Sequence, residues 1–267
     1  MTELAPTETT SPLTTVVTWN VNSLGARFER VVEYLTTRQP DVVLIQETKQ
    51  SEEKFLTREF AELGYESAHY GQGQWNGVAI LSRDGMSDVQ RGFGDDDPEA
   101  RVISARVGEW RVYSCYVPNG RALDNPHYAY KLAWLEKLRE EVVRRRGERL
   151  LLGGDFNVAR SDLDCWDPGQ WEGSTHVSGP ERAALEGLLG AGLVDLARER
   201  HPDDPLYTWW DYRQGSFRRG WGLRIDYLFV DSASATSLSE IFVDRETRKG
   251  ERPSDHAALV ARFFTAS

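Results

Sequence analysis

The sequence predicts an α/β protein, a layered sandwich of mixed β-sheets with helices on the outside. Two observations predict it. Short β-branched and apolar runs recur along all 267 residues, and helical patterns are interspersed among them rather than segregated. Some runs are spaced as hairpins and others are separated by a helix, which puts antiparallel and parallel neighbours in the same sheets. No repeat or linker divides the chain, and neither side of the Gly/Asp-rich stretch 92–98 holds a complete set of the polar clusters described below. Residues 14–267 therefore read as a single domain, preceded at 1–13 by a disordered tail rich in Thr and Pro.

Residues 14–19 are β-branched and apolar, a strand that Asn20-Val21-Asn22-Ser23 terminates. Phe28, Val31, Val32 and Leu35 fall at helical spacing within 27–38, and Pro40 stops that helix. A buried strand over 41–46 follows, then a helix over 52–63 ended by Gly64. Strands are expected at 65–70, 77–82, 102–107 and 110–117, the last two joined by a two-residue turn at Gly108-Glu109. The clearest helix is 126–146, where Tyr130, Trp134, Leu135, Leu138 and Val142 share a face. A strand at 149–153, a helix at 180–189 and strands at 207–210, 224–230, 237–243 and 257–264 complete the expectation.

Hydrophobic residues at 40% and charged residues at 28% describe an ordinary globular chain. No apolar run approaches the ~20 residues that cross a bilayer. The N-terminus lacks the basic start and apolar stretch of a secretory signal, so no membrane partner is expected. Cys115 and Cys165, the only cysteines, are too few for a disulfide framework or a zinc site, and a cytoplasmic location fits them. Taken alone, a formal charge of −10 argues against a nucleic-acid partner, since phosphate contacts need local positive charge. Such charge gathers at Arg213, Arg218, Arg219 and Arg224, and again at Arg245, Arg248, Lys249 and Arg252. Solvated loops would look the same; the position of these clusters beside the polar motifs favours an anionic ligand.

Polar groups end or follow the apolar runs. A carboxylate at Glu47, after Val42-Val43-Leu44-Ile45, is costly unless paired or metal-bound, with a helix cap or a salt bridge to Lys49 as the alternatives. Oxygen ligands suit Mg²⁺, which takes only one or two protein carboxylates. Asp155 and Asn157 follow a glycine pair that admits close approach of backbone or ligand, and share a side if the chain stays extended. An Asp can activate water or hold a metal, and an Asn amide can donate to developing negative charge; an Asp/Asn turn is the bland alternative. His256 and Asp226 form the sharpest pair, because a carboxylate on one imidazole nitrogen fixes the tautomer and favours the cation. Asp255 offers a further metal ligand. Asn20, Asn22 and Tyr116 stand at strand ends, where a phenol can donate a hydrogen bond or assist proton transfer. Trp75, Trp209, Trp210, Trp221 and Tyr212 lie near the basic clusters; packing explains each alone, and a stacking wall would explain them together. His69, His127, His176 and His201 have no companions at ligand spacing and read as structural. Strand ends that deliver carboxylates, Asn and one His to a common point imply metal-assisted chemistry on a phosphate.

Trp19-Asn20-Val21-Asn22, Gln46-Glu47-Thr48-Lys49, Tyr116-Val117-Pro118-Asn119-Gly120, Gly154-Asp155-Phe156-Asn157, the stretch 222–226 and Ser254-Asp255-His256 occur in the order found in exonuclease III. Over residues 14–264 the chain resembles the exonuclease III and AP endonuclease branch of the endonuclease/exonuclease/phosphatase superfamily. The resemblance implies a four-layer sandwich of two packed mixed β-sheets flanked by helices, with the site at one end. It implies hydrolysis of DNA phosphodiesters with Mg²⁺, for which Mn²⁺ can substitute, both 5′ to abasic sites and as 3′–5′ trimming of duplexes. The implied partner is duplex DNA with abasic sites or 3′ ends, and the chain is expected to work as a monomer.

By the same resemblance Glu47 is the principal metal ligand, with Asn20 and Asp255 nearby. Asp155 positions and deprotonates the attacking water, Asn157 supports the transition state, and His256, oriented by Asp226, contacts the scissile phosphate together with Tyr116. A two-metal version brings Asp155, Asn157 and His256 into coordination. Trp209, Leu223 and Ile225 match the wall of a pocket for a base-free sugar, and Asn22 and Arg213 are further substrate contacts. Where many relatives carry a Lys near Pro126, this chain has His127 and Tyr128, which bring no permanent charge to a phosphate. A sister phosphoesterase acting on lipid or inositol phosphates, or on unspecific DNA, would place a second His in the 116–120 motif, where none occurs. A non-catalytic DNA-binding module would not need the full catalytic set that is present.

Overall fold

The computed structural model describes residues 13–265. The expected tail at 1–12 lies outside them, while Leu13, counted with that tail, instead opens the first strand opposite Phe264. In chain order the strands of the first half are β1 (Leu13–Asn20), β2 (Val42–Gln46), β3 (Glu66–Tyr70), β4 (Val78–Ser82), β5 (Ser87–Arg91), β6 (Val102–Val107) and β7 (Trp110–Tyr116). Those of the second half are β8 (Arg149–Asp155), β9 (Leu193–Asp195), β10 (Trp209–Trp210), β11 (Gly222–Leu223), β12 (Asp226–Asp231), β13 (Leu238–Asp244) and β14 (Ala258–Phe264). The helices that matter for the site are α1 (Leu24–Arg38), α2 (Thr57–Glu62), α3 (Pro126–Arg144), α4 (Pro168–Trp171) and α5 (Gly179–Gly190).

One sheet runs β13-β14-β1-β2-β4-β3, the other β5-β6-β7-β8-β12-β9, and β10 pairs with β11 apart from both. Among the described residues each large sheet has a single parallel pair, β1/β2 or β7/β8, and a long helix, α1 or α3, makes each crossover. Alternating side chains sort to opposite faces of each strand. Val16, Leu44 and Ile80 of one sheet meet Ile103, Leu151 and Leu228 of the other between the sheets. Val17, Val43 and Ile45 turn outward under Leu35 of α1 and Phe60 of α2. Tyr113, Leu152 and Phe229 turn outward under Trp134 of α3 and Leu185 of α5. Helix, sheet, sheet, helix is the four-layer sandwich.

Several boundaries differ from the pattern reading. The helix expected over 52–63 is a 3₁₀ turn, Glu52–Lys54, followed by α2. Phe55 between them is extended (φ −69°, ψ 139°) and packs its ring against Phe60 and His69. The strand expected at 207–210 pairs only at β10, and the one expected at 224–230 begins at Asp226, as β12, with the short β11 just before it. β5 escaped notice because it is a solvent-exposed edge with a polar sequence. β8 continues past Gly153 to Asp155, which matters below.

Candidate active site

Parallel pairing brings the C-terminal ends of β1 and β2 to one edge, as it does for β7 and β8. In register Asn20 lies opposite Gln46, and Asp155 lies between Tyr116 on one neighbour and Asp226 on the other. Asn20 and Glu47 thus come from one sheet, and Tyr116, Asp155 and Asp226 from the other. Behind them a buried polar link joins the sheets: Gln46 Nε2 donates to Ser114 Oγ (3.0 Å), which donates to Ile45 O (2.9 Å). Residues 254–256 close the site just before β14. Ser254 Oγ donates to Asn20 O (2.7 Å), and the Trp19 indole donates to His256 O (3.3 Å).

The glycine pair admits close approach as expected, at Gly154 of a neighbouring backbone: a Cβ there would strike the Cys115 backbone, and one at Gly153 Leu44 and Leu228. One local reading needs correction, because the chain does not stay extended after Asp155: Asn157 has φ 53°. Its amide N donates to Asp155 Oδ1 (2.9 Å), Nδ2 donates to Val117 O (3.0 Å), and Oδ1 accepts from Asn119 Nδ2 (3.2 Å).

Glu47, Asp155 and His256 offer ligand atoms within 4.8 Å of one another. Asn20 Nδ2 donates to both carboxylates at 2.9 Å. The second Glu47 oxygen pairs with Lys49 (2.7 Å), so the salt bridge and the site position coexist. His256 Nδ1 faces a carboxylate and therefore donates, to Asp226 Oδ2 at 2.8 Å; Nε2 lies 3.7 Å from Asp155 Oδ2. Asp255 stands beside this cluster, accepting from Asn22 Nδ2 (3.0 Å) and from the Trp209 indole (3.0 Å). Asn22 Oδ1 in turn accepts from Lys49 (2.6 Å).

Burial opposes every charge here. It pulls the His256 imidazole down, but Asp226 and Asp155 outweigh it and lift the group to about 10, an imidazolium at neutral pH. Burial, with Asp226 and Glu47, pushes Asp155 up to about 7 against the pull of His256. Burial, Glu47 and Asp155 hold the Tyr116 phenol well above its usual range, which leaves it a neutral donor. Asp255 is held below the usual carboxylate range, because His256, Trp209 and Asn22 prevail over burial. Carboxylates outnumber cations in the cluster, and Asp226 Oδ1 is buried with no hydrogen-bond partner. An excess of buried oxygen ligands fits a hard divalent cation.

Beyond Asp255, Leu223, Ile225 and Cys165 form a small apolar cluster capped by Trp171 and Trp209. Arg213 is exposed at the rim, without an ion pair among the described residues. Arg224 does not belong to a basic strip: it is fully buried and paired with Asp164 (2.6 Å) and Asp195 (2.9 Å). Arg248 is likewise buried, stacked over Tyr212 and Phe217. His127 brings no cation, since burial and Arg101 lower its pKa.

Two residues near the site escaped the sequence reading. Lys131 on α3 is fully buried; its Nζ donates to Asn157 O (2.7 Å) and Asn119 O (3.2 Å) and pairs with Glu181. Its position one turn before Trp134 and Leu135, on the apolar face, was the available signal. His176, read as structural, donates from Nδ1 to Asn157 O, and its Nε2 accepts from Asn119 (3.4 Å). Burial and Lys131 lower it to about 4, so it is neutral, as both bonds require.

The sequence pattern of the endonuclease/exonuclease/phosphatase family matches residues 17–256. The chain belongs to that family. It is 31% identical to an exodeoxyribonuclease III of Haemophilus influenzae, over 92% of this chain and 98% of the relative. The fold is similar to a 3′ phosphatase from Neisseria bound to product DNA hairpin (TM-score 0.92, 43% identity, 94% of this chain and 99% of that one). It is also similar to an AP endonuclease from Archaeoglobus fulgidus (TM-score 0.92, 34% identity, 94% and 99% covered). Family members are metal-dependent hydrolases, and Glu47, Asp155 and His256 form a group able to hold such an ion here. Among the described residues no helix is long and apolar enough to cross a membrane.

Proposed function

We propose that this protein is a DNA repair nuclease. It would hydrolyse phosphodiesters 5′ to abasic sites and trim duplex 3′ ends, using Mg²⁺ or, in its place, Mn²⁺. The observation that carries this reading is the convergence of Glu47, Asp155 and His256 at the common edge of two sheets. Glu47 and Asp155, aligned by Asn20, would hold the cation, with Asp255 on its flank. A bound divalent cation supplies charge neutralisation at the phosphoryl oxygens. An Asp155 raised by burial suits accepting a proton from the attacking water. His256, kept cationic by Asp226, and the neutral Tyr116 phenol would donate to phosphate oxygens. A second reading, in which 3′-end processing dominates, is favoured by the identity of 43% to the 3′ phosphatase against 34% to the AP endonuclease. Both readings use the same chemistry.

The deciding assay incubates a duplex carrying one abasic site and recessed 3′ ends, with Mg²⁺ and with chelator. Metal-dependent incision 5′ to the lesion and shortening from the 3′ end are the expected products. Equal nicking of undamaged duplex would point to an unspecific nuclease, and binding without cleavage to a DNA-binding module. Asp155→Asn should lower turnover by roughly 10²–10⁴-fold while duplex binding is retained. A near-wild-type rate would remove Asp155 from the mechanism.

A further inference from the structure

Arg101 stands one residue before β6, opposite Tyr116 at the end of β7, and at 5% exposure it is withdrawn from any duplex. Two bonds fasten the pair. Tyr116 N donates to Arg101 O (2.7 Å), and the Arg101 guanidinium donates to Tyr116 O (3.3 Å). The same guanidinium lies 4.8 Å from the centroid of the Tyr116 ring, with the Tyr130 ring of α3 at 6.0 Å. A cation over an aromatic face is attracted by the ring quadrupole, more strongly where water is excluded. Arg101 Nε in turn donates to Glu99 Oε2 (2.5 Å). That oxygen also accepts from Asn76 Nδ2 (3.2 Å), and Asn76 O accepts from Lys49 N (2.9 Å), two residues beyond Glu47. A chain of contacts thus runs from the Tyr116 ring in one sheet to the segment that carries Glu47 at the edge of the other.

We propose that Arg101, clamped by Glu99, is a positioning residue that holds the Tyr116 ring so that its phenol faces a phosphate held beside Glu47 and Asp155. The proposal rests on the nuclease reading above and adds a residue to it. Packing alone would be served by an apolar side chain, without the cost of desolvating a charge. A tyrosine ring turns about two torsions, and misplacing a reacting group by about 1 Å is enough to lower the rate steeply. A planar guanidinium on the ring face, itself fixed by Glu99 and by Tyr116 O, restricts both torsions. Because Arg101 is withdrawn from solvent, its loss acts on turnover rather than on duplex affinity.

The test reads the ring first. With 3-fluorotyrosine placed at position 116 of the intact chain, the fluorine resonance should shift or broaden in Arg101→Met and in Glu99→Ala. It should stay unmoved in Arg58→Met, which removes an exposed guanidinium on α2. A resonance unmoved in Arg101→Met would overturn the assignment. On the duplex assayed above, in Mg²⁺, Arg101→Met should lower kcat roughly tenfold with KM little changed. Arg101→Lys, which keeps a cation for the ring, should recover part of the loss. Tyr116→Phe keeps the ring and removes the phenol; in that background Arg101→Met should cost less than about twofold. A loss that persists in full there, or that appears in KM alone, would also overturn it. Should Arg101→Met fail to fold, Glu99→Ala, at a partly exposed position, carries the same two readouts. If the wild type cuts no DNA, the nuclease reading fails, and the fluorine resonance still decides whether Arg101 holds the ring.

Discussion

A buried ammonium persists only where several acceptors replace its water. Lys131 meets that condition with two backbone carbonyls and the Glu181 carboxylate, although burial still pulls its pKa down. Glu181 also accepts from Thr175 (2.7 Å), from the His176 amide (2.9 Å) and from Ser178 (2.6 Å). The pair therefore ties the loops around residues 119, 157 and 176 to α3 and α5, and with them the backbone turn at Asn157. Lys131 is a positioning residue in this account. Lys131→Met should destabilise the fold by about 3–5 kcal/mol, the cost of an unpaired buried charge. At a temperature where the variant remains folded, kcat should fall with KM little changed, and Lys131→Arg should recover part of the loss. A purely structural role would lower the active fraction and leave kcat per folded molecule untouched.

At the level of elements, the site depends on how closely β8 lies against its neighbours. A methyl group at Gly153 would press on the ends of Leu44 and Leu228, which can adjust, whereas one at Gly154 would press on the Cys115 backbone, which cannot. Gly153→Ala should cost about 1–3 kcal/mol, and Gly154→Ala clearly more, with β7 and β8 forced apart at Tyr116 and Asp155. Urea midpoints of the two variants check the order. The polar ends of these strands were legible in the sequence because each interrupts an apolar run: Glu47 after Ile45, Asp155 after Leu152, and Asp226 beside Ile225. The apolar runs of β1, β2 and β8 and the amphipathic face of α3 were legible in the sequence as well. Edge strand β5 has a polar, exposed sequence, and β9 spans three residues, too short for a pattern. The positive φ of Asn157 and the convergence of Lys131 and His176 on its carbonyl arise from tertiary contacts that no local spacing records.

For the whole molecule, acid should be destabilising in a way that one histidine makes measurable. His69 is buried against Phe55, and burial followed by Arg91 lowers its pKa from 6.5 to about 4. Between those values the unfolded chain takes up a proton that the folded one refuses, so stability falls as pH drops through 6.5 and the loss levels off near 4. The full effect is about 3 kcal/mol at 1.36 kcal/mol per pKa unit. The stability that wild type loses between pH 7.5 and 4.5 should exceed the loss in His69→Gln by most of this amount; equal losses would show that His69 is not responsible.

β1 takes β14 as its neighbour, and the imidazole that answers Asp226 arrives only two residues before β14 begins. During synthesis, Asn20, Glu47, Asp155 and Asp226 all leave the ribosome before His256. A nascent chain that has not yet delivered residues 256–264 holds most of the proposed cutting apparatus but neither its imidazole nor the edge partner of β1. Cutting is thereby expected only of chains that extend through His256 and β14.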